Sequence, residues 1–123
     1  MDIKRVVFNP FRENTYLVWD DTKECIIIDA GNMNAGENRI LAEMIQARDL
    51  KPVMAVNTHG HFDHVGGVKW LKDTYGVAFA CSSKDQFLID STAGGMVYGI
   101  QCNEVPAIDI DLDAVEDIRF GNT

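Results

Sequence analysis

The chain has 123 residues, of which 46% are hydrophobic and 24% charged, proportions that predict one globular domain. Its formal net charge of -8 repels phosphate backbones, so nucleic acid is not expected as a partner. No apolar run approaches the roughly 20 residues of a membrane-spanning helix, so no membrane partner is expected. The absence of an N-terminal apolar segment and the odd, widely spaced set of cysteines predict a cytoplasmic protein with reduced thiols. Those cysteines, which we expect to be small buried apolar residues, are Cys25, Cys81 and Cys102.

The first part of the chain is rich in strand-forming residues. Strands are predicted at Ile3–Phe8, Thr15–Trp19 and Cys25–Ile28. A turn-forming segment at 20–23 separates the second strand from the third, so these two are expected to form a hairpin. The third is continuously apolar, which is typical of a buried central strand.

The middle of the chain alternates helices with strands. Apolar residues recur at helical spacing in three segments, and two short apolar runs lie between them. The predicted helices cover about Glu37–Asp49, Val65–Tyr75 and Lys84–Asp90, and the predicted strands are Val53–Asn57 and Val77–Ala80. The buried face of the first helix is expected to comprise Ile40, Leu41, Met44, Ile45 and Arg48.

The end of the chain gives weaker signals. Ser91–Glu104 is predicted to be a long loop, and the alternating segment Ile108–Asp113 to be an exposed edge. One more strand is predicted at Glu116–Phe120, followed by a turn. Three strands followed by alternating helices and strands predict an α/β or α+β fold.

All three histidines of the chain lie close together, at His59, His61 and His64, with Asp63 between the second and the third. Neutral imidazole and carboxylate are the ligands of zinc and related metals, so this segment predicts a metal site. In the simpler alternative for Asp63, its side chain only caps the helix that follows.

The local geometry suggests two metal ions. An extended backbone would place His59 and His61 on the same side, whereas Asp63 and His64 follow the turn into the helix and should point elsewhere. Two metal ions close together can activate a bridging water as hydroxide. Asp63 would bind the second ion and help to orient that hydroxide, which makes it the candidate catalytic residue. Asp29 ends a strand, where it either forms a turn or orients a ligand histidine.

The motif His59-x-His61-x-Asp63-His64, followed by two glycines, resembles the signature of the metallo-β-lactamase superfamily. The segments Glu13–Val18 and Ile27–Gly31 resemble that superfamily's opening strands. The run from Thr58 to His61 is most similar to the glyoxalase II-like hydrolases, the hydroxyacylglutathione hydrolases.

The resemblance implies an αββα sandwich, of which this chain would be the N-terminal half, a mixed sheet flanked by helices. His59 and His61 would belong to the first metal site, and Asp63 and His64 to the second. The expected cofactor is zinc, two ions in an intact parent protein, with iron or manganese as alternatives. The expected reaction is hydrolysis of a small-molecule thioester or related acyl compound.

No histidine follows His64, although the family's second half supplies further ligands. We therefore expect residues 1–123 to be a single domain that ends before its C-terminal half. The chain alone would then be inactive, and its exposed sheet could support homo-oligomers. Alternatives are a mononuclear iron persulfide dioxygenase, a lactonase, and a non-catalytic metal-binding module that self-associates.

Overall fold

The computed structural model describes all of residues 1–123. Strands and short helices alternate along the chain after an opening of three strands. The strands are β1 (Asp2–Phe8), β2 (Glu13–Trp19), β3 (Glu24–Ile28), β4 (Lys51–Val56), β5 (Ala78–Cys81), β6 (Met96–Val97), β7 (Ile100–Gln101) and β8 (Ile110–Asp111). The helices are α1 (Ala35–Ala47), α2 (Phe62–Val65), α3 (Val68–Tyr75) and α4 (Gln86–Thr92).

Six strands form one mixed sheet in the order β1-β2-β3-β4-β5-β8. The first three are antiparallel, as the predicted hairpin requires, and β3, β4, β5 and β8 run parallel. The parallel run follows from the helices between the strands, since a crossover returns the chain in the same direction. The predicted mixed α/β architecture is therefore confirmed, with β3 at the centre of the sheet.

The main core lies between the sheet and the helices. Leu41 and Ile45 of α1 are buried there, so the predicted face of that helix is confirmed in part, and Val68 and Leu71 of α3 are buried beside them. Ile40 was wrongly assigned to the buried face and is 47% exposed, because only a narrow stripe of α1 reaches the sheet. All three cysteines are buried and free, as predicted.

The other face of the sheet carries a smaller apolar cluster. Val18 and Ile26 are buried there beneath Phe120, and partly buried residues surround them. No strand forms at Glu116–Phe120, which corrects the prediction, because this segment crosses over the sheet instead of pairing with it. Its apolar residues pack through side chains alone.

Three further differences from the predictions have local causes. The single helix predicted at Val65–Tyr75 is divided at Gly66 and Gly67. A Cβ atom on Gly67 would lie 1.8 Å from Asn32 Oδ1, so the chain passes here at a distance that only glycine allows. The predicted loop at Ser91–Glu104 contains the end of α4 and the hairpin of β6 and β7. The predicted exposed edge at Ile108–Asp113 does lie at the sheet edge, where β8 pairs with β5.

None of the four helices combines the length and the apolar character needed to cross a lipid bilayer.

Candidate metal centre

Three strands bring the candidate residues to one edge of the sheet. Because β3 and β4 are parallel, their carboxyl ends meet, and Asp29 and Thr58 follow these ends. Because β2 is antiparallel to β3, its first residue, Glu13, begins at the same edge. Open α/β sheets commonly place their sites at such an edge.

The imidazole ring of His59 lies close to those of both His61 and His64. The ring centroids of His59 and His61 are 4.6 Å apart, and those of His59 and His64 are 4.0 Å apart. His64 Nε2 lies 3.5 Å from Asp63 Oδ2. The expectation that His64 points away from the first pair is therefore wrong, because helix α2 begins at Phe62 and turns the His64 ring back over His59.

Asp29 connects the end of β3 to the histidine segment. Its Oδ1 accepts a hydrogen bond from the Thr58 backbone N–H at 2.7 Å, and its Oδ2 accepts one from the Thr58 hydroxyl at 2.6 Å. The same Oδ2 lies 3.2 Å from His64 Nδ1. Its backbone adopts φ 54°, a left-handed conformation held by a hydrogen bond from its N–H to the Val56 carbonyl at 2.9 Å. Asp29 thus occupies the position that an orienting role requires.

One oxygen of Asp29 and one ring nitrogen each of His59 and His64 lie within 4.8 Å of one another. This geometry alone would allow Asp29 to bind a metal ion directly. However, both of its oxygens already accept hydrogen bonds from Thr58, and one also faces His64. Asp29 is therefore better suited to orient His64 than to act as a ligand itself.

Glu13 is a residue of this site that sequence reasoning missed. It is 3% exposed, and its Oε1 lies 3.4 Å from His64 Nδ1. Its Oε2 lies 2.8 Å from the Thr15 hydroxyl, which is also 2.8 Å from the Asp29 carbonyl oxygen. The available signal was the hairpin itself, since the first residue of β2 must lie beside the end of an antiparallel β3.

The acidic groups around His64 alter several pKa values. Burial raises the pKa of Glu13 to about 8, a shift that its hydrogen bond with Thr15 only partly offsets. Burial alone would raise the pKa of Asp29, but the hydrogen bonds from His64 and Thr58 outweigh it and hold that pKa below its usual value. Two carboxyl groups of the same edge are therefore shifted in opposite directions.

The histidines also differ from each other. Burial, together with the neighbouring His64 and His61 rings, lowers the pKa of His59. Burial also acts to lower the pKa of His64, but the hydrogen bond with Asp29 and the surrounding carboxylates raise it overall. Three close imidazoles with a carboxylate beside them form a donor set that divalent metal ions prefer, so these residues fit a metal centre.

Asparagine side chains hold the backbone of the histidine segment in place. Asn57 Nδ2 donates to the His64 carbonyl at 2.6 Å. Asn9 Nδ2 donates to the carbonyls of Asp63 at 2.9 Å and Gly31 at 3.1 Å. These bonds fix the segment from outside, so its side chains remain available for a ligand.

The chain is similar to known proteins in sequence and in fold. The chain is 39% identical over 92 residues to the hydroxyacylglutathione hydrolase GloC of Haemophilus influenzae, a match that covers 74% of this chain and 42% of that protein. A crystal structure of the BLEG-1 B3 metallo-beta-lactamase superposes with a TM-score of 0.83 at 24% identity, covering 98% of this chain and 57% of the other. A structure of TTHA1623 in a di-iron-bound form superposes with a TM-score of 0.76 at 25% identity, covering 92% and 56%.

The chain spans about half the length of the curated relatives that it matches. Residues 8–115, which include every strand end that builds the centre, match the family described as the metallo-beta-lactamase superfamily. On this match the chain belongs to the metallo-beta-lactamase superfamily.

Proposed function

We propose that residues 1–123 supply one side of the active centre of a zinc-dependent hydrolase that cleaves small-molecule thioesters, in the manner of glyoxalase II. The convergence of His59, His61 and His64 beside Asp63 carries this proposal, because it gathers the ligands of a hydrolytic metal site. The similarity to a hydroxyacylglutathione hydrolase supports the thioester substrate.

The roles of the chain's own residues follow from their positions. His59, His61, Asp63 and His64 would hold the metal ions, with Asp63 also orienting the attacking water. Asp29 would fix the His64 ring through Nδ1 and thereby present Nε2 on the side of Asp63. When bound, divalent metal ions supply an activated water and polarise the acyl carbonyl.

We infer that further residues beyond those of this chain complete the centre. Four protein ligands are few for two metal ions, since structural and catalytic zinc ions each take at least three. The relatives are about twice as long, which would leave room for a second set of ligands. The partly buried apolar residues around the Val18, Ile26 and Phe120 cluster would be covered by that second part.

The test is thioester hydrolysis by the full-length protein that contains this chain. The zinc-loaded protein should hydrolyse a hydroxyacylglutathione thioester, and His59→Ala should abolish that activity. Asp73→Asn is a matched control, because Asp73 is exposed on α3 and pairs with Lys69. Full activity of His59→Ala would contradict the proposal.

An iron-dependent reaction, such as persulfide oxidation, is the second candidate. TTHA1623, a protein of similar fold at 25% identity, has a di-iron-bound form, which supports iron as the metal but not a particular reaction. Metal analysis of the purified protein separates the two candidates. One iron ion per chain together with oxygen consumption on glutathione persulfide would favour the dioxygenase, whereas two zinc ions would favour hydrolysis.

A further inference from the structure

We propose that Glu13 is a positioning residue for the metal centre. Together with Asp29 it holds the Nδ1 side of the His64 ring and thereby directs Nε2 toward the metal site. The inference rests on the proposed role of His64 as a metal ligand.

The contacts of His64 divide its ring into two sides. Nδ1 faces two carboxyl groups, with Asp29 Oδ2 at 3.2 Å and Glu13 Oε1 at 3.4 Å. Nε2 faces Asp63 Oδ2 at 3.5 Å. A metal-bound histidine commonly uses one nitrogen for the metal and the other for a carboxylate that fixes the ring, and the His64 ring has this arrangement.

Glu13 has no other partner for the oxygen that faces His64. Its side chain is fully buried, and its Oε1 has no hydrogen-bond donor elsewhere in the protein. A buried carboxyl oxygen without a partner is costly, so its retention in a core requires a reason. The His64 ring is the polar group that lies within reach.

The surrounding fold holds Glu13 in this position. The hydroxyl of Thr15 lies 2.8 Å from Glu13 Oε2, and it accepts a hydrogen bond from the Gly31 N–H at 3.0 Å. A Cβ atom on Gly31 would lie 2.1 Å from Glu13 Oε2, so the backbone opposite the carboxyl group has no room for a larger residue. The carboxyl group is therefore confined between β2 and the turn after β3.

Two acidic groups behind one imidazole have a chemical consequence. Their oxygens restrict rotation of the ring, and the negative charge of Asp29 increases the basicity of the nitrogen on the other side. Replacement of Glu13 should therefore weaken metal binding although Glu13 does not lie on the metal-facing side of the ring.

The first test compares zinc dissociation constants by competition with a chromophoric chelator. Glu13→Gln keeps the shape of the side chain but replaces one of its two oxygens by an amide nitrogen that cannot accept a hydrogen bond, and we expect about tenfold weaker binding, within the roughly 10–100-fold range of such partners. Glu13→Ala should weaken binding further. Asp20→Asn is the matched control, since Asp20 is a carboxylate of low exposure at the other end of β2. Affinities of Glu13→Gln within twofold of the unmodified protein, or an equal loss in Asp20→Asn, would overturn the proposal.

The second test does not need metal. Long-range ¹H–¹⁵N spectra of the metal-free protein report which nitrogen of each histidine carries the proton. At a pH where the ring is neutral, His64 should carry its proton on Nδ1, and Glu13→Gln should shift the His64 signals while those of the exposed His61 stay unchanged. Unchanged His64 signals would overturn the positioning role. If the unmodified protein binds no zinc while the His64 signals do shift, the proposed function fails and the contact between Glu13 and His64 stands.

Discussion

The two ends of strand β2 carry carboxyl groups in opposite electrostatic states. At its start, burial raises the pKa of Glu13 to about 8, and one oxygen has no hydrogen-bond donor. Directly after its end, hydrogen bonds from Thr22 outweigh burial and lower the pKa of Asp20 to about 2, with Asn122 and Thr123 adding to the effect. Both oxygens of Asp20 accept hydrogen bonds from within the protein. In contrast, Glu13 Oε1 accepts none and faces the cluster of potential metal ligands.

The difference separates a structural carboxylate from a functional one. Asp20 Oδ1 accepts from the N–H and hydroxyl of Thr22, and its Oδ2 accepts from the Asn122 N–H at 2.8 Å and the Thr123 hydroxyl at 2.9 Å. It therefore ties Asn122 and Thr123 to the β2–β3 turn. Unsatisfied buried polar groups are common where a protein is built to bind something, and Glu13 meets that description.

The largest expected effect is a loss of zinc affinity in His61→Ala. The His61 ring is exposed, so its removal should leave the fold intact while taking one ligand from the site. We expect zinc affinity to fall by roughly a hundredfold or more, beyond the effect of losing a supporting residue. Chelator competition measures the change, and Asp73→Asn is the control. Zinc binding equal to that of the unmodified protein would remove His61 from the metal centre.

The next effect concerns Gly31, whose missing side chain makes room for Glu13. Gly31→Ala would place a Cβ atom 2.1 Å from Glu13 Oε2 and 2.8 Å from the Asp63 carbonyl oxygen. The free energy of unfolding should fall by about 1–3 kcal/mol, as in other overpacked sites. Urea titration provides the measurement. Gly36→Ala in α1 is the control, because a Cβ atom there meets nothing closer than 3.4 Å. Equal stabilities of the two variants would show that Glu13 can move away.

A smaller loss of stability is expected from Asp20→Ala, at the other end of β2. The variant should lower the melting temperature by several degrees, because four donors lose their shared acceptor. Amide exchange at Asn122 should accelerate, while zinc affinity stays within twofold. A large loss of zinc affinity without loss of stability would contradict the separation of the two ends.

The smallest effect is a dependence of stability on pH. The pKa of Asp20 is lowered in the folded protein, so its contribution is complete above the unfolded value of about 4. That contribution is lost as the pH falls toward the folded value of about 2. Melting temperatures measured between pH 4 and pH 2 should therefore decline less steeply in Asp20→Asn than in the unmodified protein. Parallel curves would show that Asp20 is not the group responsible.

Much of this arrangement could be predicted from local sequence. The apolar runs of β2, β3 and β4 and the helical stripe of α3 are periodic signals, and the histidine cluster is contiguous in the chain. Local signals failed where a tertiary contact decides the structure. The break at Gly67 depends on Asn32, and the segment Glu116–Phe120 is held by packing on Val18 and Ile26.

In the candidate site, too, local sequence predicted the residues but not their tertiary contacts. His59, His61, Asp63 and His64 could be named because they share one segment, but the approach of the His64 ring to His59 depends on where helix α2 begins. Glu13 lies 51 positions before His64, and only the register of β2 against β3 brings the two together. A glutamate at the start of a strand carries no chemical signal of its own in sequence.

The most direct test of the metal centre is a zinc titration followed through the histidine side-chain signals in long-range ¹H–¹⁵N spectra. The chain has three histidines, so each signal can be assigned by substitution. We expect His59, His61 and His64 to change together as zinc is added, with His64 keeping its proton on Nδ1. Zinc-induced changes confined to the exposed His61, or no change at all, would contradict a metal centre built on this edge of the sheet.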